Sequence, residues 1–271
     1  MSKWIKMVVI TGLHVLSGFF LGAICKEVQG IFPMLLDLTP ELLIVVIKKL
    51  LVVGGVIFTS GLVALINRPL YAYATAFLLH GAAVLLIWEE FSLISIAFIV
   101  VYIIFGISFV FYARNRMNDR ISVSLQPISE SRMLLLFGVV LLICASLYLV
   151  AKDDIRKHGF HLPEELIMAF AEPFKEGVLA EVPEEQKEQA KVQFEEEFSK
   201  AIKQMERETL EPIEAYIPIL IPLMLFFTLQ TIVSILSFIP MLLLEAVFRL
   251  MKTAHFVKVE KTSVEVEKIN L

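Results

Sequence analysis

Charge is scarce in this sequence and unevenly spread. Only 19% of the 271 residues are Asp, Glu, Lys or Arg, while 58% are hydrophobic and the mean hydropathy is +0.78. Soluble domains carry roughly a quarter charged residues. The shortage excludes an ordinary soluble domain and points to an integral membrane protein. A basic surface of the kind that meets phosphates is also missing, which excludes a nucleic-acid partner. Cysteine is nearly absent. Cys25 and Cys144 lie in or at the edge of apolar runs, make no CxxC or zinc pattern, and read as buried free thiols.

Catalytic signatures are missing as well. No P-loop, GxSxG, HExxH or CxxC occurs, and no Ser/His/Asp set can be assembled from spacing. Nothing in the sequence therefore assigns an enzyme activity, and it implies no cofactor and no metal. No family signature is recognised. A cleavable leader is disfavoured too. The uncharged run from Met7 to Cys25 is long for a signal peptide, no Ala-x-Ala follows it, and Ile24 rather than a small residue precedes Cys25.

What is present is six apolar runs: 7–25, 50–66, 70–88, 91–113, 133–151 and 215–244. Each approaches the ~20 residues that a helix needs to cross a ~30 Å hydrocarbon core. Helices are required, because open strands leave backbone groups unpaired in lipid. The expectation is an all-α polytopic membrane protein with six transmembrane helices and an extracytoplasmic helical hairpin between helices five and six. Residues 1–151 form a five-span membrane domain, 152–214 the acidic hairpin, 215–252 the sixth span plus an interfacial helix, and 253–271 a cytoplasmic tail.

The punctuation between runs supports this division. Thr39-Pro40-Glu41 reads as a helix start, so a helix runs from Pro40 to Ile66. It is too long for one crossing, and Lys48 and Lys49 mark the membrane edge. That leaves Leu42 to Ile47 at or beyond the boundary. Pro69 breaks the chain before the third span. Glu89-Glu90 is the only polar connection to the fourth, with Trp88 and Phe91 flanking it as interfacial aromatics. In the last run the span falls at about 217–239, and Pro240 starts the interfacial stretch. The alternating tail, Val257, Val259, Val264 and Val266, has strand periodicity and is expected to be partly disordered.

The charged block 152–214 holds 9 Lys+Arg and 17 Asp+Glu, a net of −8 against +4 elsewhere. Pro163-Glu164-Glu165 and Pro183-Glu184-Glu185 repeat one helix-start device, giving helices near 163–177 and 183–210. Phe194, Phe198, Ile202 and Met205 fall on one apolar face. Phe194, Phe198 and Ile202 are expected to pack on the first helix of the block, with the hairpin leaning on Leu42 to Ile47. Sidedness follows from the basic residues. Lys3, Lys6, Arg68, Arg114, Arg116, Arg120 and Arg132 share one side, and only Lys26, Lys48 and Lys49 occupy short connections on the other. Both termini are then cytoplasmic, in a cell membrane.

Depth selects the candidate site residues. His14, His80, Cys144 and Gln230, with Thr59 and Ser60, come out near mid-membrane, where polar groups are costly and often functional. A metal would want three or four ligands, and no acid sits at that depth. Gly18 and Gly22 form a GxxxG pattern for close helix packing. Gln230, Ser234 and Ser237 share a face and read as interhelix hydrogen bonding or a pore lining. Glu89 and Glu90 read as a solvated turn. Arg114, Arg116, Arg120 and Arg132 suit anionic lipid headgroups. His158 and His161 lie near Asp153 and Asp154, where a surface metal or a pH response is conceivable. The functional expectation is a membrane scaffold or sensor-like protein. Its partners are the lipid bilayer and either another protein or a second copy held through the hairpin. The alternative is a small transporter or channel using the mid-membrane polar layer.

Overall fold

The computed structural model describes residues 3–31, 40–65, 69–118, 125–159, 171–175, 177, 179, 182–183, 186–205, 208 and 211–254. Among them the chain is helical, with no strand. The helices are α1 Lys3–Ile31, α2 Pro40–Leu65, α3 Leu70–Trp88, α4 Leu93–Asn118 and α5 Gln126–His158. They continue as α6 Lys187–Met205, a 3-10 turn Glu211–Tyr216, α7 Ile217–Leu236 and α8 Phe238–Thr253. Six segments are long and apolar enough to cross a membrane, the sixth being α7 and α8 together. The helices outrun the apolar stretches that define them. At 33 residues, α5 is ~50 Å long, so its ends stand clear of a ~30 Å hydrocarbon core.

The α1 helix is central, packing on α2, α3 and α5, while α4 fills the gap between α3 and α5. α7 lies along α5, and α8 lies along α2. Glycines set the closest approaches. A Cβ on Gly22 would stand 2.5 Å from the Val84 carbonyl oxygen, and one on Gly61 would meet Leu244 at 2.6 Å. Contacts this short exist only because no side chain is there.

The start of α2 at Pro40 agrees with the proline signal, and the helix passes through Lys48 and Lys49 without a break. Lys49 is ion-paired with Glu27 on α1. The side chains of 42–47 lie outside the described residues, and with them the expected docking of the hairpin. The same holds for residues 160–170, Arg120, His161 and the tail 255–271.

Trp88 differs from expectation. It is 1% exposed, inside the bundle, while Phe91 points outward. Phe77, Gly81, Val84 and Trp88 recur at helical spacing on the inward face of α3. The helix then stops in a left-handed residue, Glu89 at φ 60°, whose N–H bonds the Leu85 carbonyl at 3.1 Å. Trp88 is thus the last residue of the inner face and precedes the interface.

The sixth crossing is broken at Ser237, three residues before Pro240. Arg132 on α5 holds that joint, its Nε donating to Ser237 Oγ at 2.9 Å and its Nη1 to the Ser129 carbonyl at 2.6 Å. Pro240 is buried, next to Gly54 of α2.

A buried histidine pair as candidate functional site

His14 and His80 come from helices that hydropathy alone cannot orient. Both rings are fully buried, and their centroids are 4.3 Å apart with the planes tilted by 30°. What brings them together is Gly18, one turn along α1 from His14. It lies so close to α3 that a Cβ would be 2.7 Å from the His80 carbonyl oxygen. Phe77 meets His14 edge-on at 4.7 Å, and Tyr102 of α4 lies 5.5 Å from His80. The Phe77 ring in turn occupies the space that a side chain on Gly106 would take.

The hydrogen bonds fix where the ring protons are. His80 Nδ1 is 2.8 Å from the His14 carbonyl oxygen. A carbonyl only accepts, so His80 carries its proton on Nδ1. Ser17 Oγ donates its single proton to the same carbonyl at 2.7 Å. Thr59 Oγ1 has two oxygen acceptors for its single proton, the Val56 carbonyl at 3.2 Å and Ser17 Oγ at 2.8 Å. With that proton on either oxygen, the 3.3 Å contact with His14 Nδ1 has His14 as donor. Both imidazoles are Nδ1–H tautomers.

Both Nε2 atoms are left over. They are buried, and neither has a hydrogen-bond partner. The hydroxyls of Ser60 and Tyr102 are buried without a partner as well. Most buried side-chain polar atoms do have one. The two imidazole Nε2 atoms and the Tyr102 hydroxyl are thus unpaired within one cluster.

The remaining candidates stand elsewhere. Cys144 is buried as a free thiol, as is Cys25. Gln230 sits half-buried on α7 with Oε1 unpartnered. No hydrogen bond or ring contact among the described residues joins Cys144 or Gln230 to the pair. Ser234 and Ser237 turn their hydroxyls onto carbonyls of their own helix, at Gln230 and Ser234, instead of lining a passage. Glu89 bonds Lys26 at 2.6 Å. Arg114 lies over the Tyr73 ring at 5.1 Å, and Arg116 donates to the Tyr112 hydroxyl at 2.9 Å. Arg132 is engaged at the α7–α8 joint. Gly22 packs on α3 beside Gly18.

In the acidic block, Phe194 and Phe198 stack at 5.6 Å, half-buried, as Ile202 is. The side chains of Met205 and His158 lie outside the described residues. Lys175 bonds Glu195 at 3.0 Å, tying the helical turn 171–175 to α6. The carboxylate of Glu195 raises the Lys175 pKa above its ordinary value.

Ser17, Phe77 and Tyr102 are the site residues that sequence reasoning missed. Ser17 sits one turn from His14, and that spacing was the available signal. The two aromatics carry none, since aromatic residues in an apolar helix read as ordinary core. Among the described residues no group of three or more His, Cys, Asp or Glu side chains could hold a metal ion. No protein-family model, curated protein or solved structure matches the chain.

Proposed function

We propose that the protein is a small multi-pass transporter whose substrate path runs through His14 and His80. One observation carries this reading: two imidazoles in ring contact at the bundle centre, each with a bare, buried Nε2. A histidine kept only for packing would be expected to pair both nitrogens, because an unsatisfied buried polar atom costs about 1–3 kcal/mol. Ionisable groups inside membrane bundles belong to ion and proton pathways more than to packing. The test is flux in proteoliposomes, with His14→Ala and His80→Ala. Loss of flux for one ion in both variants is expected. Unchanged flux of every ion tested would sink the reading.

In this reading the protein sits in the cell membrane with both termini cytoplasmic, as the distribution of basic residues supports. The block 152–214 then lies outside as an amphipathic hairpin. A thiol label at Ala190→Cys should react from the extracytoplasmic side.

A scaffold or sensor-like role has separate support. Among the described elements α6 packs on no other helix beyond marginal contact. Phe174 and Val192 remain exposed on a block of net charge −8. That surface suits a basic partner better than a second, equally acidic copy. Deleting 160–210 should then abolish a partner interaction while the spans stay folded. A deletion without effect would remove this second reading.

A further inference from the structure

We infer that the His14–His80 pair is a single-proton site, loaded at Nε2, and that it binds no metal ion. This rests on the transporter reading and names what the site carries. The ring-proton assignment leaves one unused electron pair on each imidazole, at Nε2. A neutral hydrogen-bond donor would satisfy such a lone pair without loading the site; the ions that could load it are a metal ion and a proton.

Three features select the proton. The first is charge. Among the described residues Lys175 is the only buried Lys, Arg, Asp or Glu, and it lies in the acidic block. A divalent ion at the pair would bring twice the uncompensated charge of a proton into a low-dielectric interior, where the solvation cost rises with the square of the charge. The second is ring geometry. A linear two-coordinate monovalent ion such as Ag(I) would hold the rings on opposite sides of itself. Rings 4.3 Å apart and tilted by 30° leave no room between them. The third is the lining. α1 contributes Ser17, α2 contributes Thr59, α3 contributes Phe77, and α4 contributes Tyr102. None adds a carboxylate or thiolate that would complete a coordination shell. Among the described residues the other buried titratable side chains of the bundle are the phenols Tyr73 and Tyr102 and the thiols Cys25 and Cys144.

One proton, not two, follows from the ring contact. The first proton adds to an Nε2 lone pair, breaks no bond and takes the pair from neutral to +1. A second would place two like charges in contact with no counter-charge. Entry needs the helices to part, because both rings are closed off from water.

The test is nitrogen-15 magnetic resonance on wild-type protein, histidine-labelled and reconstituted in phospholipid vesicles. The pH runs from about 9 to about 4, bracketing the ordinary histidine range. His14→Gln and His80→Gln assign the two core rings apart from the other histidines. The expected result is one protonated Nε2 per pair, with no response of either ring to added Zn²⁺ or Ag⁺. Protonation of both rings while the bundle stays folded, of neither, or a metal-induced shift would each overturn the inference. Proton uptake without any flux would remove the transporter reading and leave the site standing. Flux lost in His14→Gln without any uptake would do the reverse.

Discussion

Gly18 lies against the backbone of His80, where a Cβ would be 2.7 Å from the carbonyl oxygen. Backbone cannot step aside as a flexible side chain can. Gly18→Ala should therefore lower stability by about 1–3 kcal/mol, the range for overpacked cores. Gly12, on the same helix, has nothing within 4 Å of the equivalent point. Gly12→Ala should be neutral or slightly stabilising, within ~1 kcal/mol, since Ala is the better helix former. Thermal unfolding of both variants in one detergent checks the contrast.

Thr59 Oγ1 lies 3.3 Å from His14 Nδ1. Thr59→Val keeps the shape and removes the hydroxyl, leaving His14 Nδ1–H without its acceptor. The expected loss is about 1–3 kcal/mol. Thr59→Ser, which keeps the hydroxyl, should recover most of it. Equal melting temperatures for the Val and Ser variants would contradict the proton assignment.

Arg132 pins the break between α7 and α8. Ser234 Oγ is 3.6 Å from Met133 Sδ just above that break. The pair Met133→Cys with Ser234→Cys should cross-link readily under mild oxidation. Adding Arg132→Met should lower the yield, because the bonds to Ser237 and Ser129 are lost. Cross-linking efficiency on a denaturing gel reads the outcome.

Lys175 gives a pH dependence of definite sign. Its pKa is raised by the hydrogen bond to Glu195, with the Glu172 charge adding to the effect. A raised lysine pKa means the stabilisation is fully present below the ordinary value near 10.5 and is lost as pH rises through the folded-state value. Protease resistance of the block should hold at neutral pH and fall only in strong alkali. Lys175→Met should be sensitive already at neutral pH and show no such alkaline step.

Much of the architecture was legible because span length and hydropathy are properties of single helices. The start of α2 at Pro40 and the end of α3 beside Glu89 follow local chemistry of proline and of a left-handed stop. Lateral pairing was not legible. A helix that is apolar all round carries no facing signal, so depth could rank His14 and His80 without placing them in contact. The same depth ranking takes in Gln230 and Cys144, which no hydrogen bond or ring contact among the described residues joins to the pair. Trp88 was misplaced for a related reason. An aromatic at the end of an apolar run marks the interface only if it points outward, and rotation about α3 points it in.

The His14–His80 contact joins residues 66 positions apart in the chain. The two helices that form it are the first and third to be made, with α2 between them. When α1 enters the bilayer, the acceptors and donors that complete its centre do not yet exist. His14 must wait at mid-depth until Thr59 and then His80 arrive. Polar groups left alone in lipid are costly, and α1 alone offers His14 neither Thr59 nor His80. A chain truncated after α2 should leave His14 without its α3 neighbour, whereas one truncated after α4 holds Ser17, Thr59, Phe77, His80 and Tyr102 together. The polar centre is therefore complete only when the third and fourth helices have closed around it.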